Sequence, residues 1–88
     1  MSHPIKVTVR YFAALREALG SGEPMELPEG SRLCDLRDAL LARSQDHARL
    51  LARGTSVRCA VNQALVVDET QVLDAAAEVA FFPPVTGG

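Results

Sequence analysis

The chain closes on Pro83, Pro84, Val85, Thr86, Gly87 and Gly88, directly after the apolar run VAFF. Prolines cannot donate to a ladder, so this pair ends a strand and holds the backbone extended. Val85 and Thr86 are β-branched and stiff, and two glycines then strip the tip of side-chain bulk. Six extended residues reach about 20 Å at roughly 3.3 Å each. Such a stem is expected to act as a probe, its tip thin enough for a narrow channel in another protein. The chemical group at the tip is the α-carboxylate of Gly88, ionised at neutral pH with a pKa near about 3.5. A carboxylate is a poor electrophile and must be activated, for instance by ATP as an acyl adenylate. The activated carbonyl then accepts a sulfur, giving a thiocarboxylate, or an amine, giving an isopeptide.

Other chemistry is sparse. The sequence offers no evident Ser–His–Asp or Cys–His constellation, no phosphate loop and no metal set. Cys34 and Cys59 fit no zinc or iron–sulfur spacing and are expected to be small, buried or half-buried hydrophobes. Arg16 and Glu17 are expected to be solvated on a short helix, or weakly involved at an interface. A net charge of -2 gives no electrostatic support to a nucleic-acid or anionic-membrane role. Eight of the nine basic residues are Arg and only Lys6 is Lys, which is read as compositional bias. The opening MSHPIKVTVRYF lacks the pattern of a signal peptide, and no apolar run approaches the roughly 20 residues of a membrane-spanning helix. A cytoplasmic protein with no membrane partner is expected.

These 88 residues suffice for one small core that positions the tail. Ile5, Val7, Val9 and Tyr11 alternate with Lys6, Thr8 and Arg10, the period of a half-buried strand. FAALREALG changes to helical spacing and stops at Gly20. Met25 to Leu27 is predicted as a brief strand before the turn Pro28–Glu29–Gly30. SRLCDLRDALLAR is the clearest helix, with Leu33, Leu36, Leu40 and Leu41 on one stripe and Ser31 as the expected N-cap. SQDHARLLARG predicts a further helical turn ending at Gly54. Strands follow from Val57 and from Leu65 to Val67, around a candidate turn at Asn62–Gln63, and the last strand is Glu78 to Phe82. The predicted order is β, short α, β, α, short α, β, β, β. It fits an α+β domain over residues 1–82, with a mixed sheet packed on one main helix as in a β-grasp. Residues 83–88 form the extended tail, expected to be flexible when the chain is alone.

Strand parity singles out two aromatics. If Tyr11 faces the core, Phe12 falls on the opposite side; if Val79 and Phe81 face in, Phe82 faces out. Either the chain bends there and both are core, or they form an exposed aromatic patch for a partner, which Leu65 would extend.

EVAFFPPVTGG, with AVNQALV upstream and YFAALREALG near the start, resembles the small subunit of molybdopterin synthase, the MoaD family of ubiquitin-like sulfur carriers. The resemblance spans nearly the whole chain. It implies a β-grasp fold and a sulfur-carrier role in molybdenum-cofactor synthesis. Gly88 would be adenylated by a ubiquitin-activating-like adenylyltransferase using ATP, then converted to a thiocarboxylate with sulfur from a donor enzyme. The tail would enter the large synthase subunit and give its sulfur to cyclic pyranopterin monophosphate. Phe12, Leu65 and Phe82 would contact both partners, and the synthase would be a heterotetramer. Catalytic side chains are expected on the large subunit, with no cofactor bound by this chain. Carriers for thiamine or cysteine synthesis, and ubiquitin-like modifiers, are alternatives with the same tip chemistry. Two departures stand out: Ala75, Ala76 and Ala77 where the family commonly has a Gly-containing turn, and Arg32 where a small capping hydroxyl is frequent.

Overall fold

The computed structural model describes residues 3–52 and 57–83. The period-two stretch forms β1 (Ile5–Tyr11), with Ile5, Val7, Val9 and Tyr11 buried and the intervening residues exposed. β2 (Gly22–Leu27) pairs antiparallel with it, Arg10 opposite Gly22 and Ile5 opposite Leu27. This strand starts three residues earlier than the sequence suggested. Pro24 does not interrupt it, because the bond from Tyr11 N–H to Ser21 C=O sets the alternation so that position 24 turns its nitrogen to the free edge. Gly22 is required sterically: a Cβ there would lie 2.2 Å from the Val9 carbonyl oxygen.

Between them, α1 (Ala13–Leu19) buries Leu15 and ends at Gly20, whose positive φ of 91° suits glycine. α2 (Leu33–Leu41) buries Leu33, Leu36 and Leu40, while Leu41 is half-buried. Its N-cap is Arg32, not Ser31. Ser31 is buried in the preceding turn, where its hydroxyl donates to the Pro28 carbonyl at 2.7 Å. The helix start is capped instead by two tertiary bonds and one local one. Leu33 and Cys34 N–H groups donate to the carbonyls of Gln71 and Glu69, and the Asp35 carboxylate accepts from Arg32 N–H at 2.8 Å. α3 (Gln45–Leu51) has Ser44 as its N-cap, accepting from His47 N–H. It stops at Leu51; the expected end at Gly54 lies outside the described residues.

β3 (Arg58–Val61) turns through Asn62 and Gln63 into β4, which is Ala64–Leu65 rather than the expected Leu65–Val67. Val66 still donates to the Cys59 carbonyl, but Val67 has left the edge and is 93% exposed. Asn62 and Gln63 both take positive φ, 50° and 72°, the requirement of a tight hairpin turn. β5 (Glu78–Phe82) lies parallel to β1 and antiparallel to β3. Across the five-stranded sheet the order is β2-β1-β5-β3-β4. The core forms between one face of this sheet and α2, with Val7, Val9, Val79 and Phe81 meeting Leu33, Leu36 and Leu40. The architecture is the expected β-grasp, and the short α1 and α3 complete its helical side. In the Gly-free turn before β5, Ala76 takes the left-handed conformation with φ 66°.

Candidate docking face and tail root

Strand parity controls the site. Tyr11 points into the core and is 1% exposed; Phe12 continues the extended backbone, so it emerges on the other side, 43% exposed. Its N–H donates to the Phe81 carbonyl at 3.1 Å, which fixes it beside the end of β5. Phe81 is fully buried and Phe82, one residue on, is half-buried on the outward face. Leu65 is 58% exposed. The two aromatics are therefore not core residues, and the chain does not bend to hide them.

Cross-strand register brings these groups onto one surface. Arg10 lies opposite Ala80, Ala80 opposite Ala60, and Ala60 opposite Leu65, a row crossing four strands. Arg58 lies opposite Phe82. The outer face is thus a strip of Leu65, Ala60, Ala80, Phe82 and Phe12, bracketed by Arg10 and Arg58. Its two alanines leave the middle shallow, open to close approach by another protein. Ala60, Ala80, Arg10 and Arg58 were not among the sequence-derived candidates. Their strand parity was visible, but which strands lie side by side was not.

The tail leaves from this same end of the sheet, because β1 and β5 are parallel and Tyr11 lies alongside Phe81. Pro83 follows β5, half-buried. Pro84, Val85, Thr86, Gly87 and Gly88 lie outside the described residues.

Beneath the face, on the core side, sits a polar cluster the sequence did not reveal. The Glu23 Oε2 oxygen accepts from the Tyr11 hydroxyl at 2.7 Å and lies 2.9 Å from His47 Nε2. Its Oε1 oxygen is 2.6 Å from Arg43 Nε. His47 Nδ1 in turn lies 2.7 Å from Ser44 Oγ. A serine, a histidine and a carboxylate are therefore in series, although their spacing in the chain gave no sign of it. This set is a clasp rather than a nucleophile: Ser44 Oγ is held as the α3 cap, and the carboxylate is shared with the buried Tyr11. Burial works to raise the Glu23 pKa, but the hydrogen bonds from His47 and Tyr11 and the charges of Arg43 and His47 outweigh it and hold it below the usual value. Burial first, then the bond to Glu23 and its charge, push the Tyr11 phenol far above its usual range. The clasp ties β1, β2 and α3 together at the residue preceding Phe12.

Arg37, also buried, stacks over the Phe81 ring at 5.7 Å and approaches Glu69 at 3.3 Å without the alignment of a hydrogen bond. Burial, with a smaller push from the Glu69 charge, raises the nearby Cys59 thiol, so it stays protonated and inert, as expected of a packed cysteine. Among the described residues no cluster of three His, Cys, Asp or Glu side chains forms a metal site. No helix among them is long and apolar enough to cross a membrane.

The ThiS family matches residues 9–88, from the middle of β1 through the terminal glycines. The chain belongs to the ThiS family. It is 41% identical to the molybdopterin synthase sulfur carrier subunit of Mycobacterium tuberculosis, an alignment covering 96% of this chain and 99% of the relative. Among solved structures, this ThiS-family chain resembles a molybdopterin converting factor subunit 1 from Pyrococcus furiosus, with 32% identity, a TM-score of 0.77, and 92% and 99% of the two chains covered. A subunit of the complex of molybdopterin-converting factor subunits 1 and 2 from Helicobacter pylori superposes with a TM-score of 0.69 over 96% of this chain and 100% of that one. At 21% identity that likeness shows the ThiS-family fold alone.

Proposed function

We propose that this ThiS-family chain is the sulfur-carrying small subunit of a molybdopterin synthase. The observation that carries the proposal is the 41% identity to a molybdopterin synthase sulfur carrier subunit along nearly the entire chain. The outward strip of Phe12, Leu65 and Phe82 at the end of the sheet from which the tail departs is consistent with it.

In this scheme the Gly88 carboxylate attacks the α-phosphorus of ATP on an adenylyltransferase and pyrophosphate leaves. Sulfide-level sulfur released by a donor then attacks the carbonyl, a C–S bond forms, the bond to AMP breaks with its electron pair, and a thiocarboxylate remains. The chain next docks on the large synthase subunit, the tail enters that subunit, and the sulfur passes to cyclic pyranopterin monophosphate. Within this scheme the β-grasp domain binds and orients, the slim tip admits Gly88 to two active sites in turn, and the catalytic side chains belong to the partners. Two small and two large subunits would form the working assembly, in the cytoplasm.

The test is intact-mass spectrometry after incubation with ATP, an activating enzyme and a sulfur source. Exchange of one oxygen for sulfur, mapped to Gly88, is the expected result. No exchange, with the activating enzyme competent on a known carrier, overturns the proposal. Co-purification with a thiazole synthase in place of a molybdopterin synthase large subunit would move the chain to thiamine synthesis.

A further inference from the structure

The charged side chains of the outer face differ in what stands across from them. Arg10 meets the Glu78 carboxylate at 3.6 Å, and Lys6 lies directly opposite Glu26. Arg58, the exposed first residue of β3, lies directly opposite Phe82, with Ala80 on the diagonal and Ala60 next along its own side of the strand. On its other flank β4 reaches no further than Leu65, opposite Ala60, and the chain has left the edge before it comes level with Arg58. No carboxylate among the described residues comes within ion-pair distance of Arg58. Same-face neighbours on paired strands have Cβ atoms about 5 Å apart, so the strand register surrounds this cation with apolar residues and leaves it unpaired.

We propose that Arg58 is where the docking face receives a carboxylate, an Asp or Glu side chain of the large synthase subunit, at the rim of the contact that Phe82 makes. The inference rests on the carrier role proposed above and adds the chemistry of the partner's surface: an apolar patch facing Phe12, Leu65 and Phe82, with an acidic group at its Phe82 end. A guanidinium is more weakly hydrated than an ammonium and presents a planar fork to a carboxylate, so it is suited to being partly covered. An isolated, fully exposed ion pair contributes little. At the edge of an apolar contact, docking excludes water, and the attraction strengthens as the local dielectric falls. A rim charge acts chiefly on the encounter: it accelerates association, and salt suppresses the effect. Arg10 is already paired with Glu78 and carries little uncompensated charge, so the attraction is centred on Arg58.

The test measures association of the full chain with a purified molybdopterin synthase large subunit by surface plasmon resonance. It is run at about 0.1 M and about 1 M salt, where exposed charges are screened beyond about 10 Å and about 3 Å. Wild type, Arg58→Gln, Arg58→Lys and Lys6→Gln are compared, each first shown to melt like wild type. Lys6→Gln removes the same unit of charge from the same face, but near the start of β1, about 20 Å from the level of Phe12 at roughly 3.3 Å per residue. Arg58→Gln is expected to associate about 3- to 10-fold more slowly at the lower salt, the deficit shrinking below about 2-fold at the higher. Arg58→Lys should recover most of the rate, and Lys6→Gln should match wild type within about 2-fold. An undiminished rate in Arg58→Gln, an equal loss in Lys6→Gln, or a loss in Arg58→Gln that salt does not reduce overturns the proposal and leaves the carrier role standing. A wild-type chain that does not bind the large subunit at all overturns both.

Discussion

Replacing Glu23 by Gln keeps the shape of the side chain and removes the charge on which Tyr11, His47 and Arg43 converge. Hydrogen bonds to a charged group contribute about 1.5–3 kcal/mol each, against about 1 kcal/mol for neutral pairs. The Glu23 side chain is only 16% exposed, so the bonds from Tyr11 and His47 are little screened. Arg43 is 49% exposed, and its share is discounted to below about 1 kcal/mol. Gln has one acceptor oxygen where two were used, and its amide nitrogen meets a donor. Glu23→Gln should therefore cost about 2–3 kcal/mol at neutral pH, or roughly 10–20 °C in Tm for a domain of this size. The cost depends on pH in a determined sense. Because the folded-state pKa of Glu23 lies below its unfolded value of 4.5, the stabilisation is complete above that value and is lost as pH falls through the folded pKa. The variant lacks this loss, so the difference between the two proteins should narrow on acidification below about pH 4.5. Denaturant unfolding followed from neutral pH to about pH 3 measures both. A neutral-pH cost under about 0.5 kcal/mol, or a cost that does not change with pH, would refute the assignment of Glu23 as the charged centre of the clasp.

Phe82→Ala should weaken binding to a large synthase subunit by about 10-fold or more, as for an aromatic at the centre of an interface. Titration calorimetry reads that loss, and the melting temperature should move little because Phe82 faces outward. Gly22→Ala forces a Cβ against the Val9 carbonyl and should cost about 2 kcal/mol or more, read as a lower denaturation midpoint. Gln63→Gly relieves a positive φ in the β3–β4 turn and should raise stability by about 1 kcal/mol, seen as a higher Tm.

Wherever one residue's neighbours along the chain decide its environment, the sequence alone was informative. The period-two alternation of Ile5 to Tyr11 set which side of β1 is buried, while for Phe12 and Phe82 the same rule left a core and an outward reading open, and the fold selected the outward one. The leucine spacing of Leu33, Leu36 and Leu40 defined the buried stripe of α2, and Asn62–Gln63 marked the turn between β3 and β4. Local cues failed where a distant segment did the local work. Ser31 looks like a cap, but the helix start is satisfied by carbonyls of Glu69 and Gln71, and Ser31 is freed to close the preceding turn. β2 gains three residues because β1 supplies its hydrogen bonds. The row from Arg10 to Leu65 exists only once β5 is inserted between β1 and β3. The clasp joins Tyr11, Glu23 and His47 across separations of 12 and 24 residues. Period and propensity are short-range quantities carried by consecutive residues, so a sequence states them directly. Strand register and side-chain clusters are settled by which segments win contact in the folded core, and only the tertiary structure records that outcome.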